Sequence, residues 1–101
     1  MIIYNVTIKV EHAIAEEWME WQKAEHIPEM KSTGCFYDAM IYRLLDTDES
    51  DGITYAVQFH AKDHDAYKKY LQDYAAAMRK KSTDKWQNRF VAFRSVLQLV
   101  H

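Results

Sequence analysis

The chain has almost no glycine. Two such residues in 101 are too few for a Gly-rich phosphate-cradling loop, and no GxGxxG, P-loop or GxSxG pattern occurs. No cofactor is expected. A single cysteine, Cys35, excludes an internal disulfide. With no Cys/His cluster and no HExxH run, no metal is expected either. Cytoplasmic location follows as the default. The one proline, Pro28, cannot donate the backbone bond a helix interior needs and biases Ile27 away from helical angles, which predicts that a helix kinks or ends there. No apolar run is long enough to span a bilayer, and the opening MIIYNVTIKV alternates instead of showing a charged region followed by an apolar core.

An excess of either charge is also missing. Thirteen Lys and Arg against fifteen Asp and Glu give −2, so the basic footprint that neutralises nucleic-acid phosphates is missing. The densest basic patch, Arg79-Lys80-Lys81, falls near an expected helix end, where cations meet the helix dipole favourably. What is present is a composition of 49% hydrophobic and 14% aromatic residues, enough for one globular domain over residues 1–101.

Ile2 to Val10 alternates with period two and is rich in β-branched residues, which predicts a strand with Ile2, Tyr4, Val6, Ile8 and Val10 toward the core. From about Ala13 the period changes. Ile14, Trp18, Trp21 and Ala24 form one stripe of an amphipathic helix, with Glu16, Glu17 and Glu20 away from it. Cys35 to Leu45 and Ile53 to His60 read as two strands joined by the polar loop Asp46 to Gly52. That loop matches the first side-chain positions of a calcium-binding EF-hand, but Asp51 stands where glycine is needed and Val57 where the bidentate Glu belongs. A solvated turn is the better reading. Asp63 is placed to cap a second helix with the stripe Tyr67, Leu71, Tyr74 and Met78, running to Ser82-Thr83-Asp84 or on to Trp86. Phe90 to Val100 is the last strand. The order strand, helix, strand, strand, helix, strand predicts a ferredoxin-like α+β fold with two helices on one face of a four-stranded antiparallel sheet.

The segments HIPEM, TGCF, GITYAVQF and RFVAFRSVL, with Met1 to Thr7 and Trp18 to Trp21, resemble the bacterial DUF4286 family of unknown function. The resemblance implies a dimeric α+β barrel across essentially the whole chain. Similar barrels include antibiotic-biosynthesis monooxygenases, haem-degrading enzymes and domains that only bind ligands or regulate, so fold membership sets no chemistry.

A sheet with helices on one side leaves its other face bare. That face is expected to carry Asn5, Thr7, Ala56, Gln58, His60, Phe90, Arg94, Val96 and Gln98, a mixture suited to covering by a second sheet and hence to a homodimer. Asn5, Gln58 and Arg94 would then converge beside His60, either as a structural network at the interface or as a site holding a ligand carboxylate on Arg94. Arg43 would join them unless a bulge turns it to the other face. His26, at the expected helix end, reads as a C-terminal cap or as a general acid or base. His60 is the second candidate for proton transfer. Cys35 reads as a buried structural thiol. Three functions follow as expectations: a homodimer binding a small molecule between its sheets, a cofactor-independent monooxygenase-like enzyme using His26 or His60, or a protein-interaction module.

Overall fold

The structure, a computed structural model, describes residues 1–101. The alternating N-terminal segment forms strand β1, Ile2–Val10, and β2 is Asp38–Arg43, β3 Ile53–Ala61 and β4 Phe90–Gln98. They pair antiparallel in the order β2-β3-β1-β4, so the two most apolar strands, β1 and β3, lie inside. Residues opposite one another share a face. Tyr4 stands between Phe59 and Val96, and Val6 between Val57 and Arg94, and all of these point toward the helices.

The first helical segment is continuous from His12 to Ser32: a 3-10 turn at His12–Ile14, α1 at Ala15–Trp21, a π-helical turn at Gln22–His26, and α2 at Ile27–Ser32. Pro28 therefore does not end the helix. Its missing N–H falls just past a wide turn in which the Ile27 N–H reaches the Gln22 carbonyl, five residues back, so the register slips where proline would have broken it. The helix stops at Gly34, whose φ of +79° closes the C-terminal turn through a bond from its N–H to the Lys31 carbonyl.

The second helical region starts where expected, with the Asp63 carboxylate accepting from the Ala66 N–H at 2.9 Å. It divides at Tyr74 into α3, His64–Asp73, and α4, Ala75–Trp86, and it does run on to Trp86. Tyr70, Ala75, Met78 and Trp86 are its buried residues, while Leu71 is exposed. Tyr67, Tyr74 and Met78 of the expected stripe pack on the core, and Tyr70 is buried where Leu71 was expected. The core joins these helices to the inward residues of β1 and β3. Tyr4 is its centre, with the rings of Phe36, Phe59, Tyr67 and Tyr70 at 5.3 to 6.1 Å, contacts worth about 0.5–1.5 kcal/mol each beyond burial alone. Cys35 is buried there, as expected of a structural thiol.

The expected assignment of the last strand to a face is reversed. Phe90 pairs with Val10, Ala92 with Ile8 and Arg94 with Val6, which turns Phe90, Ala92, Arg94, Val96 and Gln98 toward the helices and leaves Val91, Phe93, Ser95 and Leu97 on the open face. Both faces of β4 are apolar, so its alternation does not say which is inside. The open face still carries Asn5, Thr7, Ala56, Gln58 and His60, now with Met40 and Tyr42 from β2.

The two glycines predict opposite outcomes on substitution. A Cβ at Gly52 would stand 2.2 Å from the Val10 carbonyl oxygen, whereas one at Gly34 meets nothing within 4 Å and carries only the cost of its positive φ. Gly52→Ala is expected to destabilise by about 2–3 kcal/mol, and Gly34→Asn by less than about 1 kcal/mol. Urea unfolding of the two variants checks the order; equal losses would contradict it.

Candidate functional site

The long helix makes the site. Trp18, Gln22, His26 and Met30 recur every four residues through the π turn, and all four line one pocket against the helix-side face of the sheet. Tyr4, Val57 and Phe59 form its floor, Tyr70, Met78 and Trp86 its far wall, and Arg79, Ser82 and Arg94 its remaining polar lining. The cavity volume is about 40 Å³, with twelve of seventeen lining residues hydrophobic. That is room for a few waters or a small ligand.

His26 is half-buried, stacked on Trp21 with ring centres 4.7 Å apart and edge-on to Phe59 at 6.3 Å. Burial lowers its pKa to about 4, with Glu29 pulling it up and Lys81 pushing it down. Those two neighbours are ion-paired with each other. The imidazole is therefore neutral at pH 7 and makes no C-terminal cap, because the helix continues past it.

Two buried polar atoms of pocket-lining residues, Gln22 Oε1 and Trp86 Nε1, have no hydrogen-bond partner. A buried acceptor or donor left without a partner costs about 1–3 kcal/mol, so each group would gain from a partner that the protein itself does not supply. Tyr4 is 2% exposed, and its hydroxyl oxygen accepts from Arg94 Nε at 3.0 Å and from Arg79 Nη2 at 3.4 Å. Burial raises the pKa of Tyr70 far above the ordinary phenol, with Tyr4 adding to the shift, so that hydroxyl stays protonated.

The four residues expected to form a ligand site do not converge. Asn5, Gln58 and His60 lie on the open face, and Arg94 lies on the other side of the sheet. Asn5 donates through its amide to Thr7 Oγ1 at 3.0 Å and to Ser95 Oγ at 3.2 Å, while its Oδ1 is buried without a partner. The ring of His60 stands 6.0 Å from that of Tyr37 at the sheet margin. The two candidate histidines are thus on opposite faces and cannot share a reaction. Arg43 pairs with Glu49 through two hydrogen bonds and joins neither group. No cluster of three His, Cys, Asp or Glu side chains is placed to hold a metal ion, and no helix is long and apolar enough to cross a membrane.

Sequence reasoning missed Gln22, Arg79 and Trp86 as pocket residues. For Gln22 the signal was present: a four-residue spacing that continues through HIPEM once Pro28 is allowed inside the helix.

The buried histidine sets a pH dependence. Its folded pKa lies below the unfolded value near 6.5, so the unfolded chain takes up the extra proton between the two. Its contribution is unchanged above about pH 6.5 and falls as the pH drops toward 4, by up to about 3 kcal/mol. Between pH 7.5 and 5 the native protein is expected to lose about 2 kcal/mol more stability than His26→Gln. Denaturant titrations at both pH values measure this; identical losses, or an NMR titration midpoint for His26 near 6.5, would contradict it.

A family model described as a domain of unknown function (DUF4286) matches residues 1–100. No curated protein sequence matches the chain. Similar solved structures include a dimeric ferredoxin-like protein from an uncultured marine organism, with 15% identity, TM-score 0.74, and coverage of 99% of this chain and 95% of that one. An EthD family protein from Bacillus halodurans has 13% identity, TM-score 0.66, and coverage of 98% and 100%. A mutant of MhuD, with two manganese protoporphyrin IX molecules bound per active site, has 15% identity, TM-score 0.70, and coverage of 100% and 96%. At these identities the likeness concerns the fold alone.

Proposed function

Because the chain belongs to the DUF4286 family, whose function is unknown, its role is read from its own pocket, and we propose a homodimer that binds a small molecule on the helix side of the sheet in each protomer. The observation that carries this reading is the pair of partnerless buried groups, Gln22 Oε1 and Trp86 Nε1, on residues that line a mainly apolar cavity. A molecule offering one donor and one acceptor would satisfy both. The small cavity sets the scale. At about 40 Å³ it lies well below the ~300–1,000 Å³ of drug-sized sites, so a macrocycle such as MhuD binds has no room here.

Catalysis by His26 is the weaker reading. A general base works best with a pKa near the operating pH, and one held near 4 by burial accepts a proton poorly at neutrality. His60 lies outside the pocket. The homodimer is supported by the open face, where Val91, Phe93 and Leu97 of the edge strand and Met40 and Tyr42 of β2 are all exposed. The marine ferredoxin-like neighbour is itself described as dimeric.

Two measurements test the reading. Replacing the partnerless acceptor by an apolar group of similar size should stabilise the ligand-free protein, so Gln22→Leu is expected to gain up to about 1 kcal/mol, whereas Trp86→Phe also loses buried ring volume and gains nothing; both are expected to lose the thermal shift that small polar fragments produce in the native protein. Loss of stability in Gln22→Leu, with no fragment shifting the native protein, would overturn small-molecule binding. Sedimentation of Phe93→Asp should show a folded monomer where the native chain is a dimer; a native monomer would remove the dimer.

A further inference from the structure

The four arginines of the chain divide into two kinds. Arg43 is ion-paired with Glu49, and Arg89 with Glu11. Arg79 and Arg94 have no carboxylate partner, although they come from different elements, α4 and the edge strand β4, and meet at one atom, the Tyr4 hydroxyl oxygen. A phenol oxygen is a neutral acceptor with two lone pairs, and both are taken by cations. No Asp or Glu is among the seventeen residues lining the pocket. Two positive charges are thus held together beside an apolar cavity with nothing of opposite sign to answer them.

We propose that the ligand of this pocket is a small carboxylate, its two oxygens held between Arg79 and Arg94 at the Tyr4 hydroxyl and its short apolar portion lying between Trp18, Phe59 and Met78. The proposal rests on the small-molecule reading above and adds the chemical class: the carboxylate answers the arginines, while a hydroxyl elsewhere on the ligand would accept from Trp86 Nε1 and donate to Gln22 Oε1, and butyrate is the parent acid without it. A guanidinium fork matches the planar geometry of a carboxylate, and fixing both cations on one phenol removes part of the ordering cost of binding. Phosphate suits the site less well. Neither glycine lines the pocket, whose walls are mainly apolar, and a phosphate cradle needs several backbone N–H donors at close approach. The lip position of the guanidinium groups, exposed on both residues, makes the attraction sensitive to salt.

The test compares butyrate with its neutral isostere butyramide and with inorganic phosphate, followed through the Trp86 indole N–H and the Arg79 and Arg94 Nε–H resonances. Butyrate is expected to bind at least tenfold more tightly than butyramide, to weaken as salt is raised, and to lose about tenfold or more in Arg94→Gln. Further loss is expected in the Arg79→Gln/Arg94→Gln pair, with Arg89→Gln unchanged as the control for a general charge effect. Equal binding of butyrate and butyramide would overturn the carboxylate while leaving small-molecule binding intact. Phosphate binding in place of butyrate would overturn the class. Saturable binding of none of the three at millimolar concentration overturns the proposal, and if fragments also fail to shift the native protein, small-molecule binding falls with it. Retained folding of the arginine variants, read from their dispersed spectra, keeps any loss of binding attributable to the charges.

Discussion

The two hydrogen bonds received by the Tyr4 hydroxyl hold the molecule's chemistry and its core to one residue. The ring of Tyr4 sits among four other aromatic rings on the central strand, and its oxygen fixes a guanidinium from α4 and another from β4. A phenylalanine there would keep the packing and leave both cations unanchored. Because β1 pairs with β3 and β4 over its whole length, a slip of one residue would carry Tyr4 to the open face and dismantle core and pocket together.

The second constraint is the π turn. A regular α-helix broken at Pro28 would have ended the run of pocket residues before Met30, and His26 would have capped it. Widening the helix by one residue at Gln22–His26 absorbs the proline and keeps Trp18, Gln22, His26 and Met30 in a line. The same turn buries the imidazole deeply enough to keep it neutral. Burial and lowered pKa are therefore consequences of one backbone adjustment, and they favour a wall for a ligand over a proton-transfer machine.

The element order and the fold were legible from periodicity alone, because β1, β3 and the first helix each show a single apolar face. β4 was not. Phe90, Ala92 and Val96 on one side and Val91, Phe93 and Leu97 on the other are equally apolar, and only pairing with Val10, Ile8 and Tyr4 decides between them. That ambiguity has a physical origin: an edge strand that packs on a core with one face and stands exposed with the other needs apolar residues on both if its outer face is to meet a second sheet. It moved Arg94 from the expected site between sheets to the helix side, leaving Asn5, Gln58 and His60 behind. Histidines drew attention in the sequence because of their chemistry, whereas Arg79, hidden in the basic run Arg79-Lys80-Lys81, looked like a solvated helix end and is instead one half of the charge at the pocket.

The location of the pocket is the central claim, and a crystal structure of protein purified without stripping bound small molecules tests it most directly. Density between Trp18 and Trp86, reaching Arg79 and Arg94 in every protomer, is the predicted result, with the open faces of two sheets packed against each other and free of ligand. Density between the sheets beside Asn5 and Gln58, with side chains filling the helix-side cavity, would contradict it.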